Sequence, residues 1–188
     1  MRGLILLFVV ATISISACVS TNVSGYVDPD FDGVGYSKIA VLADTPDYEW
    51  RNDIEERVSK RIRKKSASDA VRYMDVVPPT RELSVEEAEA RLLEAGVDAV
   101  LLVAVDSTEV SQKISMYFYG GSGGGRSSDR RSAVIQFDLL DINRQQRMWT
   151  GSAKGSGSGS SVDWNEIRDE VGDDLVKDLK KLGFLIAK

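Results

Sequence analysis

Apolar runs of two kinds alternate along this chain, and their spacing predicts its elements. Lys38 to Ala43 is a short continuous apolar run, read as a buried strand, and Pro46-Asp47 breaks it. From about Trp50 to Lys65, Ile54, Val58 and Ile62 recur every four residues among charges, which predicts an amphipathic helix. Val71 to Val77 reads as a second strand, stopped by Pro78-Pro79. Ser84-Val85-Glu86-Glu87 forms a capping box, since a serine hydroxyl and a glutamate three residues on can satisfy each other's backbone amides. The helix it opens is expected to turn Val85, Ala88, Leu92 and Leu93 inward and to end at Gly96.

The second half is richer in strands. Ala99 to Val105 is continuously apolar, the pattern of a central strand buried on both faces. A long strand runs on to about Tyr119, then come the tip Gly120–Gly125 and the flank Arg126 to Arg131. Ala133 to Ile142 returns as a strand, Asn143–Gln146 turns, and Arg147 to about Gly155 carries Trp149. Ser156–Ser161 reads as a connector and Asp163 as the cap of a last helix. That helix carries the row Trp164, Ile167, Val171, Leu175, Leu179 and Leu182, and Gly183 terminates it. The order β-α-β-α-β-β-β-α implies an α/β domain with a mixed sheet: two right-handed crossovers join parallel strands, and hairpins add an antiparallel portion. No internal repeat and no second domain are visible.

The N-terminus has a different pattern. Arg2 precedes an apolar stretch from Leu4 to Ile15, the length of a signal peptide and short of the ~20 residues a membrane span needs. Ile15-Ser16-Ala17-Cys18 then matches the lipobox of bacterial lipoproteins, with Ile15, Ser16 and Ala17 as the signal-peptidase recognition residues. The match implies removal of residues 1–17 and acylation of Cys18, in which several chains make membrane residence effectively permanent. Val19-Ser20-Thr21 carries no acidic residue, which by the sorting rule for such proteins points to the periplasmic face of the outer membrane. Residues 18–37, polar and acidic, are expected to form the lipidated cysteine and a flexible tether with room for an edge strand near its end. Residues 38–188 are then the folded domain.

Composition narrows the chemistry. The chain has net charge −5, no histidine and a single cysteine. Its commonest general base, metal ligand and pH switch are therefore missing, and lipidation of Cys18 uses the one thiol. No cofactor, metal site or catalytic residue is assigned, and nucleic acid is not an expected partner. The glycine run lacks the Lys-Ser/Thr and the helix of a phosphate loop, and it joins antiparallel strands. Beside it, Tyr117, Tyr119, Arg126, Arg130 and Arg131 are candidate partner-contact residues for lipid headgroups, lipopolysaccharide, glycan or an acidic protein; a solvated loop is the plainer reading. The acid pairs Glu55-Glu56, Glu86-Glu87 and Asp173-Asp174 are expected on polar helix faces, pointing apart rather than across a cleft. The run Lys60–Lys65 complements a helix C-terminus, and Trp50, Trp149 and Trp164 are expected in the core or at its rim.

Three phrases carry a family resemblance: Tyr36-Ser37-Lys38-Ile39-Ala40-Val41-Leu42, Ala95-Gly96-Val97-Asp98-Ala99-Val100-Leu101, and Phe137-Asp138-Leu139-Leu140-Asp141 with Trp149 on the next strand. Together they resemble the CsgG/LpoB/TolB-N-terminal-like periplasmic domains. The resemblance implies a non-enzymatic envelope protein: an activator of peptidoglycan synthases, a secretion-pore subunit or part of an envelope complex. The chain departs from the activators in its short tether. It departs from the pore subunits in having one long hairpin, Val110 to Ile142, which carries Arg130, Arg131 and Asp138. The expected function is a lipid-anchored interaction or accessory module with a protein partner in the periplasm. The alternatives are an oligomeric secretion or pore accessory subunit and, more weakly, a carboxylate-dependent cell-wall hydrolase.

Overall fold

The sheet is built around two strands that are apolar on both faces. The computed structural model describes residues 19–117, 124–158 and 164–188. Its elements are β1 (Val19–Val27), β2 (Lys38–Asp44), α1 (Tyr48–Lys65), β3 (Asp69–Arg72), α2 (Tyr73–Val76), α3 (Val85–Glu94), β4 (Ala99–Tyr117), β5 (Gly124–Asp141), β6 (Gln146–Ser158) and α4 (Trp164–Lys181). The strands lie in the order β1-β6-β5-β4-β2-β3. β3, β2 and β4 are parallel; β4, β5, β6 and β1 are antiparallel. The expected mixed α/β sheet is therefore present, and the predicted element order holds from β2 onward with α2 added.

One face of the sheet holds the larger core. Ile39, Val41 and Ala43 of β2 lie beside Ala99, Leu101 and Val103 of β4, and Ile135, Phe137 and Leu139 of β5 continue the layer. Ile54, Val58 and Ile62 of α1 and Val171, Leu175, Val176 and Leu179 of α4 cover it, as their spacing predicted. On β6 the register slips against β5 between Leu139 and Leu140, so the neighbours Met148 and Trp149 are both buried here. The opposite face has a smaller cluster, in which Leu92 of α3 and Val97 pack with Ala40, Val100 and Ile142. Farther along that face Gln136, Thr150, Ser152 and Lys154 are exposed.

Four sequence expectations need correction. Residues 19–27 are not a tether: β1 pairs with β6 along its whole length, and Val23 and Val27 pack against the core. The alternation there is carried by small residues, so it reads as polar while still fitting a half-buried strand. The loop to β2 is also held, because the Phe31 ring lies 4.1 Å from that of Phe184. Val71–Val77 divides into the short β3 and the single-turn α2. On α3, Val85 is 78% exposed and Leu93 43% exposed, so only part of its apolar row turns inward. Finally, Arg126–Arg131 belongs to β5; the long strand expected from Ala99 is present as β4, with a register shift at Val105/Ser107. The capping box at Ser84/Glu87 is present, and Gly96 (φ 71°) and Gly183 (φ 86°) take the left-handed conformation at the helix ends. Asp163 lies outside the described residues.

Trp149 fixes how β1 joins the sheet. Its indole lies across Gly25 and Gly151, which face each other in the β1–β6 register. A Cβ at Gly25 would stand 2.5 Å from the indole Nε1, and one at Gly151 would be closer still to the ring. Gly151→Ala should therefore destabilise the domain by about 1–3 kcal/mol through overpacking, whereas the exposed Ser152→Ala should stay within ~0.5 kcal/mol. Urea unfolding followed by tryptophan fluorescence measures both; an unchanged midpoint in the glycine variant would contradict this packing.

Candidate functional site

The lipobox residues Ile15, Ser16, Ala17 and Cys18 lie outside the described residues, but the structure fixes the place of Val19, the residue after the cysteine. Val19 pairs with Gly157, Gly157 with Arg131, and Arg131 with Val110. The first described residue thus lies at the end of the sheet where β4 and β5 run on together. From that level the two strands extend to the pair Tyr117–Gly124, a further ~23 Å at ~3.3 Å per residue. The structure pairs Tyr117 with Gly124, Arg126 with Ser115, Arg130 with Ser111 and Arg131 with Val110 on the two strands of this hairpin. Tyr119 lies outside the described residues.

The acid pairs have roles at the level of individual side chains. Glu56 is exposed, but Glu55 is fully buried, contrary to the expectation of a polar-face pair. β3 pairs with β2 only from Lys38 to Val41, leaving the next stretch of β2 without that neighbour. Glu55 Oε1 accepts from the Ala43 amide there at 3.3 Å, and Oε2 accepts from the Met74 amide in the first turn of α2 at 3.1 Å. One carboxylate thus completes a strand edge and caps a helix start, two places where backbone donors lack partners. Arg72 clamps the same turn with bonds of 2.7 and 2.9 Å to Asp75 and 2.7 Å to Asn52. Glu87 closes the capping box. Asp173 pairs with Arg61 and Lys65, each at 2.9 Å, and Asp169 with Arg57 and Arg61 at 3.0 and 2.6 Å. The basic end of α1 is therefore zipped to α4, and its last carbonyls also accept from Lys180 and Lys188.

Beside Glu55 the sheet face opens into a groove of about 700 Å³. Its floor is Leu42, Val100, Leu102 and Leu140; α3 contributes Ala88, Glu89 and Leu92, and the linker from Val77 to Ser84 forms the far wall. The apolar run Ala99–Val105 of β4 predicted burial on both faces, yet α3 covers only part of the second one. At one end Arg51 donates from Nη2 to the Thr45 carbonyl at 3.0 Å, while its Nε is buried without an acceptor. Asp141 accepts from the Tyr36 hydroxyl at 3.1 Å and the Arg144 amide at 2.9 Å, and Arg144 is paired with Asp32 at 2.6 Å. Burial, with the adjacent Asp141 carboxylate, pushes the Tyr36 hydroxyl above its ordinary range, so it stays a donor at neutral pH. Sequence reading missed this group because Asp32 and Tyr36 lie more than 100 residues from Asp141 and Arg144. Among the described residues no three His, Cys, Asp or Glu side chains are arranged to hold a metal. No helix among them is long and apolar enough to cross a membrane.

No protein-family model matches the sequence, and no curated protein matches it. Among solved structures the chain is similar to the PelC dodecamer of Paraburkholderia phytofirmans. One crystal form aligns at 16% identity and TM-score 0.50 over 87% of this chain and 99% of that one. A second form aligns over 88% and 99% with the same identity and score. The chain shares the PelC fold. Lipoprotein GNA1162 of Neisseria meningitidis aligns at 12% identity and TM-score 0.42, over 77% of this chain and 99% of its own.

Glu55 yields a pH test. Burial raises its carboxyl above the ordinary value of 4.5, outweighing the two amide bonds and the nearby Arg51 and Arg72. The folded chain then binds more protons than the unfolded one, so this group makes stability fall as pH rises from about 4.5 through the raised native value. Relative to wild type, Glu55→Gln should be constant in stability below that window and gain as pH rises across it. Urea titrations at successive pH values measure the difference; a flat difference would refute the assignment. Glu55→Ala should cost roughly 2–5 kcal/mol by stranding both amides.

Proposed function

We propose that this chain is a lipid-anchored, non-enzymatic accessory module of the cell envelope, held by Cys18 on the periplasmic face of the outer membrane and acting through a protein partner. The observation that carries the reading is the register at the N-terminus. The residue after the lipobox cysteine already belongs to β1, so the anchor joins the domain with almost no slack. The end of the sheet that bears the β4–β5 hairpin then faces the bilayer, and Tyr117, Arg126 and Arg130 lie on the arm nearest it. The groove floor, at the level of Val100 and Leu140, lies about ten residues down the sheet and faces the periplasm. The non-enzymatic part is supported by the absence of histidine and by the structural use of Glu55, Glu87 and Asp173.

A second reading, an oligomeric secretion or pore accessory subunit, is favoured by the assembly that PelC forms on this fold. The outer edge of β1, which pairs only with β6 among the described residues, gives copies a strand to meet. Light scattering on the detergent-extracted protein separates the two: a stable ring supports the subunit, a monomer the adaptor.

The anchor has its own test. Cys18→Ser should abolish incorporation of labelled palmitate and free the protein from the membrane fraction after cell lysis. Label still entering the variant would refute the lipidation assignment.

A further inference from the structure

The groove between α3 and the sheet has the build of a ligand site. Its volume of about 700 Å³ falls within the ~300–1,000 Å³ of small-molecule pockets. The lining is mostly apolar, with Leu42, Leu102 and Leu140 across the floor and the half-buried Leu83 in the wall. Leu140 is 37% exposed although it lies one strand from the core of the sheet. Hydrocarbon is thus left open to solvent in a concave place, where a chain-like apolar group would remove it from water.

The polar groups in the lining are unequal. Its acids have partners: Glu89 accepts from Gln145 at 2.8 Å, and Asp141 holds Tyr36 and the Arg144 amide. Glu55, which is near Arg51 but does not line the groove, has each oxygen on a backbone amide. The cations are not matched in this way. Arg51 uses Nη2 on Thr45 and leaves Nε buried without an acceptor, and Arg81, also in the lining, is exposed. Buried donors without acceptors are costly, and a guanidinium with spare N–H groups prefers a carboxylate or a phosphate.

We propose that this groove binds a single-chain amphiphile with an anionic head, its acyl chain along Leu42, Leu102 and Leu140 and its head between Arg51 and Arg81. The chemistry fits a free fatty acid or a lysophospholipid. The site stands ~30 Å along the strands from the anchored end, at ~3.3 Å per residue between Val100 and Val110. Such a ligand would therefore be held away from the bilayer that tethers the domain. The proposal does not depend on acylation of Cys18, and its test omits that residue.

The mature chain from Val19, which contains every described element, is titrated by calorimetry with dodecanoate, lysophosphatidylglycerol and uncharged dodecanol, each below its micelle concentration. Saturable 1:1 binding of either anionic probe, tighter than dodecanol, is expected, and the tighter of the two identifies the head group. Arg51→Met should weaken the anionic probes by roughly tenfold, the scale of one charge-assisted contact, and leave dodecanol unchanged. Ala88→Trp, a substitution on the groove side of α3, should abolish binding of all three without loss of thermal stability. No anionic binding by the wild type, equal binding of dodecanol, or undiminished binding by Ala88→Trp each overturns the proposal. Self-association that Ala88→Trp abolishes, with no probe bound, would assign the groove to a second copy and overturn it too.

Discussion

A single buried carboxylate decides where the parallel half of this sheet ends. β3 stops pairing with β2 after Val41, and a strand interior that loses its neighbour leaves backbone donors facing protein rather than water. Glu55 answers at both ends of the break by accepting from Ala43 and from Met74. With that anchor in place the chain can leave β3 through one turn of helix. Without it, two amides would be stranded beside a core in which Ile39, Ala40 and Val41 are all fully buried. Burying a carboxylate is unfavourable, which is why its acidity is reduced. The arrangement is retained because no apolar residue could satisfy two donors at once.

The groove results from that exit. Turning at α2 sends the chain over the edge of the sheet through Pro78-Pro79, whose rings prevent the helix from continuing. The capping box then starts α3 only at Val85. α3 is ten residues long and reaches Val100 and Ile142 but not the far strands. The sheet is therefore covered fully by α1 and α4 on one side and partly on the other. The uncovered part is apolar near α3 and polar beyond it, so the transition itself defines the concave site.

The opposite end of the molecule is organised by β1. Its alternation buries Val23 and Val27, and its two-glycine contact with Trp149 locks it to β6. Attachment to a membrane through the residue before it would give an orientation rather than a loose leash. Val19, the hairpin and the groove occupy fixed levels along the strands, with hairpin and groove at opposite ends.

Much of this was legible in the chain. Local rules suffice for the capping box at Ser84 and Glu87, the left-handed glycines at 96 and 183, the helical row Ile54, Val58, Ile62 and the strands β2 and β4. Each rests on interactions within a few residues, or on periodicity that any partner surface would satisfy. The site was much less legible. Glu55 has the sequence surroundings of a solvated glutamate, and only the early end of β3 makes it a cap for two elements. Tyr36 and Asp141 meet across more than 100 residues, and β1 looks like a tether until β6 supplies its partner. The sequence by itself determined most of the helices and strands from β2 onward and the apolar rows of α1 and α4. Tertiary structure decided which apolar faces stay open and which polar groups are buried, because burial depends on what arrives from elsewhere in the chain.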